Sequence, residues 1–104
     1  MHARFTPVSF DVDRLEELEQ ISSEEIRADL DGQPGFRAYY VLVDRETGKS
    51  AVITMWNDAE TEKASRATVA QRFSLVGDFM TEPPGESMIY EVVEMHTAPT
   101  PAPA

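Results

Sequence analysis

The sequence predicts an α+β fold, a four-stranded sheet with helices on one face, and three observations predict it. First, strand-like and helix-like periods follow one another in the order strand, helix, strand, strand, helix, strand. Second, the two strands flanking the turn Asp44-Arg45-Glu46-Thr47-Gly48-Lys49 are apolar on both faces. Phe36, Ala38, Tyr40 and Leu42 alternate with Arg37, Tyr39, Val41 and Val43, while Val52, Thr54 and Trp56 alternate with Ala51, Ile53 and Met55. Successive strand side chains point to opposite faces, so a sheet wetted on one side should read apolar then polar. Third, the rest of the chain supplies helix for one face only. The other face requires a second copy, and a homodimer is expected, with Val41, Val43, Ile53 and Met55 in its interface.

Each element has its own signals. Phe5, Val8 and Phe10 mark a first strand from Arg4 to Phe10, although Pro7 lacks a ladder donor. Asp11 or Asp13 can cap the helix that follows, in which Leu15, Leu18, Ile26 and Leu30 form a stripe with Ser22 between them. Ser22 with Glu25 also fits a capping box, which would break the helix near Ile21, but the stripe runs through and one helix is expected. Asp31-Gly32-Gln33-Pro34-Gly35 ends it, with glycine as a left-handed cap.

If Glu46-Thr47-Gly48 forms a three-residue loop with Gly48 left-handed, Ala38 lies opposite Trp56, Tyr40 opposite Thr54 and Leu42 opposite Val52. Phe36, Ala38, Tyr40, Leu42, Val52, Thr54 and Trp56 then share a face, an arrangement that a slip of one residue would undo. Asn57 or Asp58 caps a second helical region carrying Val69, Phe73, Val76 and Met80, with Ala59 to Arg66 as a separate short turn before it. A last strand is expected from Ser87 to His96. The Pro/Ala-rich stretch 98–104 reads as a disordered tail, leaving 1–97 as a single domain. This order of elements is the ferredoxin-like βαββαβ arrangement, with the first and third strands central.

At 104 residues the chain is long enough for one core. Its net charge of −10 argues against nucleic acid or an anionic membrane as partner, since both would repel it. Cysteine is absent, which removes disulfides, thiolate nucleophiles and cysteine metal sites. His2 and His96 are far apart, and the glutamates of the first helix crowd one surface instead of converging, so no metal site is expected. No apolar run approaches the ~20 residues of a membrane span and the N-terminus lacks a signal-peptide core, so the expected location is cytoplasmic. Nucleotide-binding glycine loops, zinc helix motifs and nucleophile elbows do not occur.

The segment Pro34-Gly35-Phe36-Arg37-Ala38-Tyr39-Tyr40-Val41-Leu42-Val43-Asp44, followed by a strand closing on Trp56-Asn57-Asp58-Ala59-Glu60, resembles the antibiotic biosynthesis monooxygenase family of the dimeric alpha-beta barrel superfamily. The likeness spans nearly everything between Phe5 and Met95. It implies two sheets packed face to face and a ligand cleft within each subunit, between sheet and helices. Family enzymes include cofactor-independent oxygenases acting on polycyclic phenols or anthrones, quinol oxygenases and haem degraders. The last need a helical histidine, and the stretch from Ala59 to Met80 has none, so no cofactor is expected.

Within that frame the candidate substrate-binding residues are Trp56, Tyr40, Thr54 and Asn57. Trp56 can stack on a flat ring or serve as a core plug. Tyr40 and Thr54 would set two hydroxyls beside it, or simply pack. Asn57 can donate to a substrate oxygen as an amide does in an oxyanion site, or cap a helix. Tyr39 and Tyr90 carry the same two readings as Tyr40. Arg37 is placed to pair with Glu91 or Glu94 of a partner subunit. His96, at the end of the last strand, is expected to be exposed. No residue is an evident acid or base, and the catalytic residues stay unassigned. Two functions follow: a small-molecule-binding dimer resembling cofactor-independent monooxygenases that act on phenols, quinols or anthrones, or a non-catalytic ligand-binding or accessory dimer. An open cleft of at least ~300 Å³ with convergent hydroxyls would favour the first, a filled one the second.

Overall fold

The computed structural model describes residues 1–99, except for the side chain of Phe73. The elements are β1 (His2–Ser9), α1 (Leu15–Ile21), a π segment (Ser22–Ile26), α2 (Arg27–Asp31), β2 (Phe36–Val43), β3 (Lys49–Trp56), α3 (Ala59–Val76) and β4 (Met88–Glu91). The strands form one antiparallel sheet in the order β2-β3-β1-β4, so the first and third strands are central as expected. Pro7 is accommodated because its carbonyl faces Gly85, past the end of the β1–β4 ladder at Phe5 and Met88. Its missing N–H points the same way and leaves no partner unbonded.

Asp11 caps a short 3-10 turn that leads into α1. From Leu15 to Asp31 the backbone stays right-handed throughout, with no break at Ile21. The sequence spacing explains the π segment. Leu18, Ser22, Ile26 and Leu30 stand four residues apart, and an α-helix would rotate such a row by about 40° per step. One wider turn, in which the Arg27 N–H reaches back to the Ser22 carbonyl, takes up that drift and keeps Leu18, Ile26 and Leu30 buried. The stop differs from expectation in one respect. Gly32 is right-handed (φ −84°), and the left-handed glycine of this turn is Gly35 (φ +76°).

The β2–β3 register departs from the expected one by a single residue. Asp44 N–H donates to the Lys49 carbonyl, so four residues, not three, lie between them. The cause is local: the Asp44 carboxylate accepts from the N–H groups of Glu46 and Thr47, at 2.9 and 3.4 Å, and its Asx turn takes an extra residue into the loop. Gly48 is left-handed as expected (φ +79°). Tyr39 therefore lies opposite Thr54, Tyr40 opposite Ile53, Val41 opposite Val52 and Leu42 opposite Ala51. A bulge between Phe36 and Ala38 returns Phe36 to the helix side of the sheet, where it lies opposite Trp56 in place of the expected Ala38. As a result Tyr39, Val41 and Val43 turn toward the helices, and Ala38, Tyr40 and Leu42 turn to the other side. The face expected to carry Val41 and Val43 with Ile53 and Met55 instead carries Tyr40 and Leu42 with them.

Two further expectations are corrected. Helix α3 is unbroken from Ala59, because Asp58 and Thr61 form a reciprocal capping box and the buried stripe already begins at Glu62 and Ser65. Strand β4 stops at Glu91, far short of His96, because Glu91 already lies opposite His2 at the start of β1. The Pro/Ala tail expected over 98–104 lies mostly outside the described residues.

The core sits between the sheet and the helices and contains Val8, Phe10, Leu18, Ile26, Leu30, Val52, Trp56, Val69 and Val76. The opposite sheet face has no cover. Tyr40, Leu42, Met88 and Tyr90 are exposed there, beside half-buried Ile53 and Met55.

Candidate functional site

Between the sheet and the helices lies a small cavity of about 30 Å³. The sheet contributes Tyr39, Val41, Val52 and Thr54; the first helical stretch contributes Leu18, Ile26, Asp29 and Leu30; α3 contributes Thr68, Val69, Arg72 and Val76. Such a space takes one or two waters and no drug-sized molecule. Its lining is almost wholly apolar, with polar groups only at its margins. A half-open groove of about 340 Å³ adjoins it where α1 and the π segment face β2, and Leu18 and Val41 line both spaces. Ser22, Ser23, Glu19 and Arg45 give this groove its polar rim.

Two polar bridges cross the cavity's margins. The hydroxyls of Ser22 and Tyr39 meet at 2.8 Å, tying the π segment to β2. Asp29 of α2 pairs with Arg72 of α3, tying the two helical stretches together. Burial pushes the Tyr39 phenol above its ordinary pKa, and the Ser22 hydrogen bond only partly opposes that rise. Near neutral pH Tyr39 is consequently a protonated hydrogen-bonding group and not a base.

Trp56 is where the sequence places it, at the end of β3 facing the helices, but its indole is fully enclosed, with no exposed surface. Its N–H donates to Thr54 Oγ1 at 3.0 Å, and Phe36 meets it edge-on with ring centroids 5.6 Å apart. It does not line the cavity. Thr54, buried beside it, does. The structure thus joins Trp56 to Thr54 and joins Thr54 to the cavity, but it separates Tyr40 from both. Tyr40 points to the uncovered face and is 49% exposed, a direct result of the loop at Asp44. Tyr39 occupies the position beside Thr54 that Tyr40 was expected to hold. Asn57 is exposed, its backbone N–H bound to the Gly35 carbonyl, and the helix cap is Asp58. Of the expected wall of α3, Val69 and Val76 are present, while the Phe73 side chain lies outside the described residues.

Sequence reasoning also passed over the buried polar side of α3. Glu62 is 1% exposed and is held by Arg66 through Nε and Nη2, at 3.0 and 2.9 Å. The four-residue Glu62–Arg66 spacing was visible, but burial of its acidic end was not. Asp29 and Arg72, from separate elements, gave no local signal at all. Among the described residues no group of three or more His, Asp or Glu side chains is placed to hold a metal ion, and no helix is long and apolar enough to cross a membrane.

The architecture is that of a ferredoxin-like α+β protein with its cavity on the helix side of the sheet. Solved structures share it over nearly their whole length. A monooxygenase, ActVA-Orf6 of Streptomyces coelicolor, solved with nanaomycin D, superposes with a TM-score of 0.73 at 9% identity, covering 93% of this chain and 91% of that one. The haem degrader MhuD from Mycobacterium tuberculosis, solved with two haems in its active site, gives 0.69 at 17% identity, covering 93% and 100%. A structure described as an antibiotic biosynthesis monooxygenase gives 0.67 at 15%, covering 90% and 100%. The chain therefore has the fold of the antibiotic biosynthesis monooxygenases. No protein-family model matches the sequence, and no curated protein is similar to it in sequence.

Proposed function

We propose that the chain works as a homodimer that binds a flat aromatic molecule, a phenol, quinol or anthrone, between sheet and helices, as a cofactor-independent monooxygenase does. One observation carries the reading: Tyr39 and Thr54 line a mostly apolar space, and the Tyr39 hydroxyl is bound to that of Ser22, which rims an adjoining groove large enough for a ring system. In such a site the protonated Tyr39 phenol donates a hydrogen bond to a substrate oxygen and stabilises the anion left when water takes the substrate proton; dioxygen then oxidises that anion, one oxygen atom entering the product and the other leaving as water. Likeness to ActVA-Orf6 supports the substrate class. The uncovered face with Tyr40, Leu42, Ile53 and Met55 supports the homodimer, since monomers rarely leave an apolar patch of that kind in water. We place its work in the cytoplasm.

The size of the cavity, about 30 Å³, favours a second reading, a non-catalytic ligand-binding or accessory dimer of the same fold. Oxygen uptake separates the two. Purified protein with anthrones, quinols and naphthols, without added metal or flavin, is expected to consume oxygen above the spontaneous rate, and Tyr39→Phe to lower that rate. Binding of the same compounds with no oxygen consumption would select the accessory reading.

A further inference from the structure

The small cavity and the larger groove are neighbours. Leu18 and Val41 line both, so these two apolar side chains stand where the two spaces adjoin. The wall that carries Leu18 is the helical stretch α1–π–α2, and two polar bridges hold it down, Ser22–Tyr39 on the β2 side and Asp29–Arg72 on the α3 side. Both bridges are side chain to side chain and only partly buried, and they add to the core packing of Leu18, Ile26 and Leu30 in holding the wall down. The π segment Ser22–Ile26 carries one end of the first bridge and leads to the second, and such wide turns are frequent at functional sites.

We propose that the stretch Leu18–Leu30 is a lid, latched by Ser22–Tyr39 and Asp29–Arg72, whose release merges the cavity with the groove into one cleft. This deepens the ligand-binding reading above and rests on it only for the identity of what enters. Opening moves the wall that carries Leu18 away from the strand that carries Val41, and an aromatic ring enters between them. The incoming molecule then finds Tyr39 and Arg72 freed from their partners. A ligand with a hydrogen-bond acceptor at one end and an anionic or strongly polar oxygen at the other would satisfy both.

The test needs no substrate. Amide hydrogen exchange is measured on the full chain and on Ser22→Ala, Tyr39→Phe and Arg72→Met, with 1-anilinonaphthalene-8-sulfonate as the probe of access. Each latch variant is expected to raise exchange across residues 18–30 by about fivefold, the effect of losing one net hydrogen bond of about 1 kcal/mol, while amides of β3 stay unchanged. Probe affinity should rise at least threefold. Ser22→Ala, the gentlest change, carries the test alone if Tyr39→Phe fails to fold. Exchange and probe affinity unchanged in Ser22→Ala, or acceleration spread evenly over β3 and the lid, would overturn the proposal. Failure of anthrones or quinols to react would count against the monooxygenase reading and leave this result standing.

Discussion

The Trp56 indole N–H donates a hydrogen bond to the hydroxyl oxygen of Thr54, two residues back on the same strand. The pair closes the end of the core, because Trp56 has no exposed surface and Phe36 seals its edge. A ring so enclosed stabilises the fold and is not available for a ligand to stack on. Trp56→Phe should therefore cost about 2 kcal/mol, from lost volume and the lost indole hydrogen bond, while leaving small-molecule binding per folded molecule within about twofold. Urea unfolding and equilibrium dialysis measure the two effects. A variant of full stability that had lost its ligand would return Trp56 to the binding site.

The hairpin loop offers a cleaner local test. A Cβ on Gly48 would come within 2.7 Å of the Phe10 carbonyl oxygen, and its φ of +79° is already unfavourable for other residues. Gly77, by contrast, has nothing within 4 Å of its would-be Cβ. Gly48→Ala is expected to destabilise the protein by about 2 kcal/mol or more, and Gly77→Ala to be neutral or to stabilise it by about 0.5 kcal/mol. Thermal melts of the pair decide it. Equal midpoints for the two variants would mean that the loop tolerates a different backbone.

What the sequence made legible follows from periodicity, and what it hid follows from side chains acting on the backbone. Element order, the stripe Leu15–Leu18–Ile26–Leu30 and left-handed Gly48 could all be read directly, since each repeats a local pattern. The register could not, because the Asp44 carboxylate captures the N–H groups of Glu46 and Thr47 and lengthens the loop by one residue. That single hydrogen-bonding choice moved Tyr40 off the candidate site and Tyr39 into it. The bulge after Phe36 then kept Phe36 on the face expected for it, although Phe36, and not Ala38, is the residue opposite Trp56. Asp29 and Arg72 come together only through tertiary packing, which leaves no trace in spacing.

Burial of Tyr39 gives stability a dependence on alkaline pH. Its folded pKa is raised above the unfolded value of about 10, mainly by desolvation. The unfolded chain thus loses this proton first. The phenol's contribution is complete below about pH 10 and falls as pH rises from there through the folded pKa. Tyr39→Phe should be less stable than the parent at pH 8, by about 1 kcal/mol for the Ser22 hydrogen bond, and the gap should narrow toward pH 11. Urea midpoints at the two pH values test this. A gap that widened would mean that the phenol ionises more readily in the fold than out of it.

The uncovered face makes the last and sharpest prediction, because adjacent residues of β2 are assigned to opposite environments. Val41 packs against the core and lines the cavity, whereas Leu42, one residue on, is exposed in the single chain. Val41→Asp should destabilise the protein strongly, by about 2 kcal/mol or more, since it sets a carboxylate against the core at a half-buried position. Leu42→Asp should leave the subunit folded and abolish the dimer, because only association removes that side chain from water. Light scattering coupled to size exclusion would then report a dimer for the parent chain and a monomer for Leu42→Asp, with unchanged far-ultraviolet circular dichroism. The three-residue loop expected from the sequence predicts the reverse pair of outcomes, so the two variants also test the register. A parent chain that is monomeric at micromolar concentration would refute the dimer outright, and the apolar face would then need another partner to cover it.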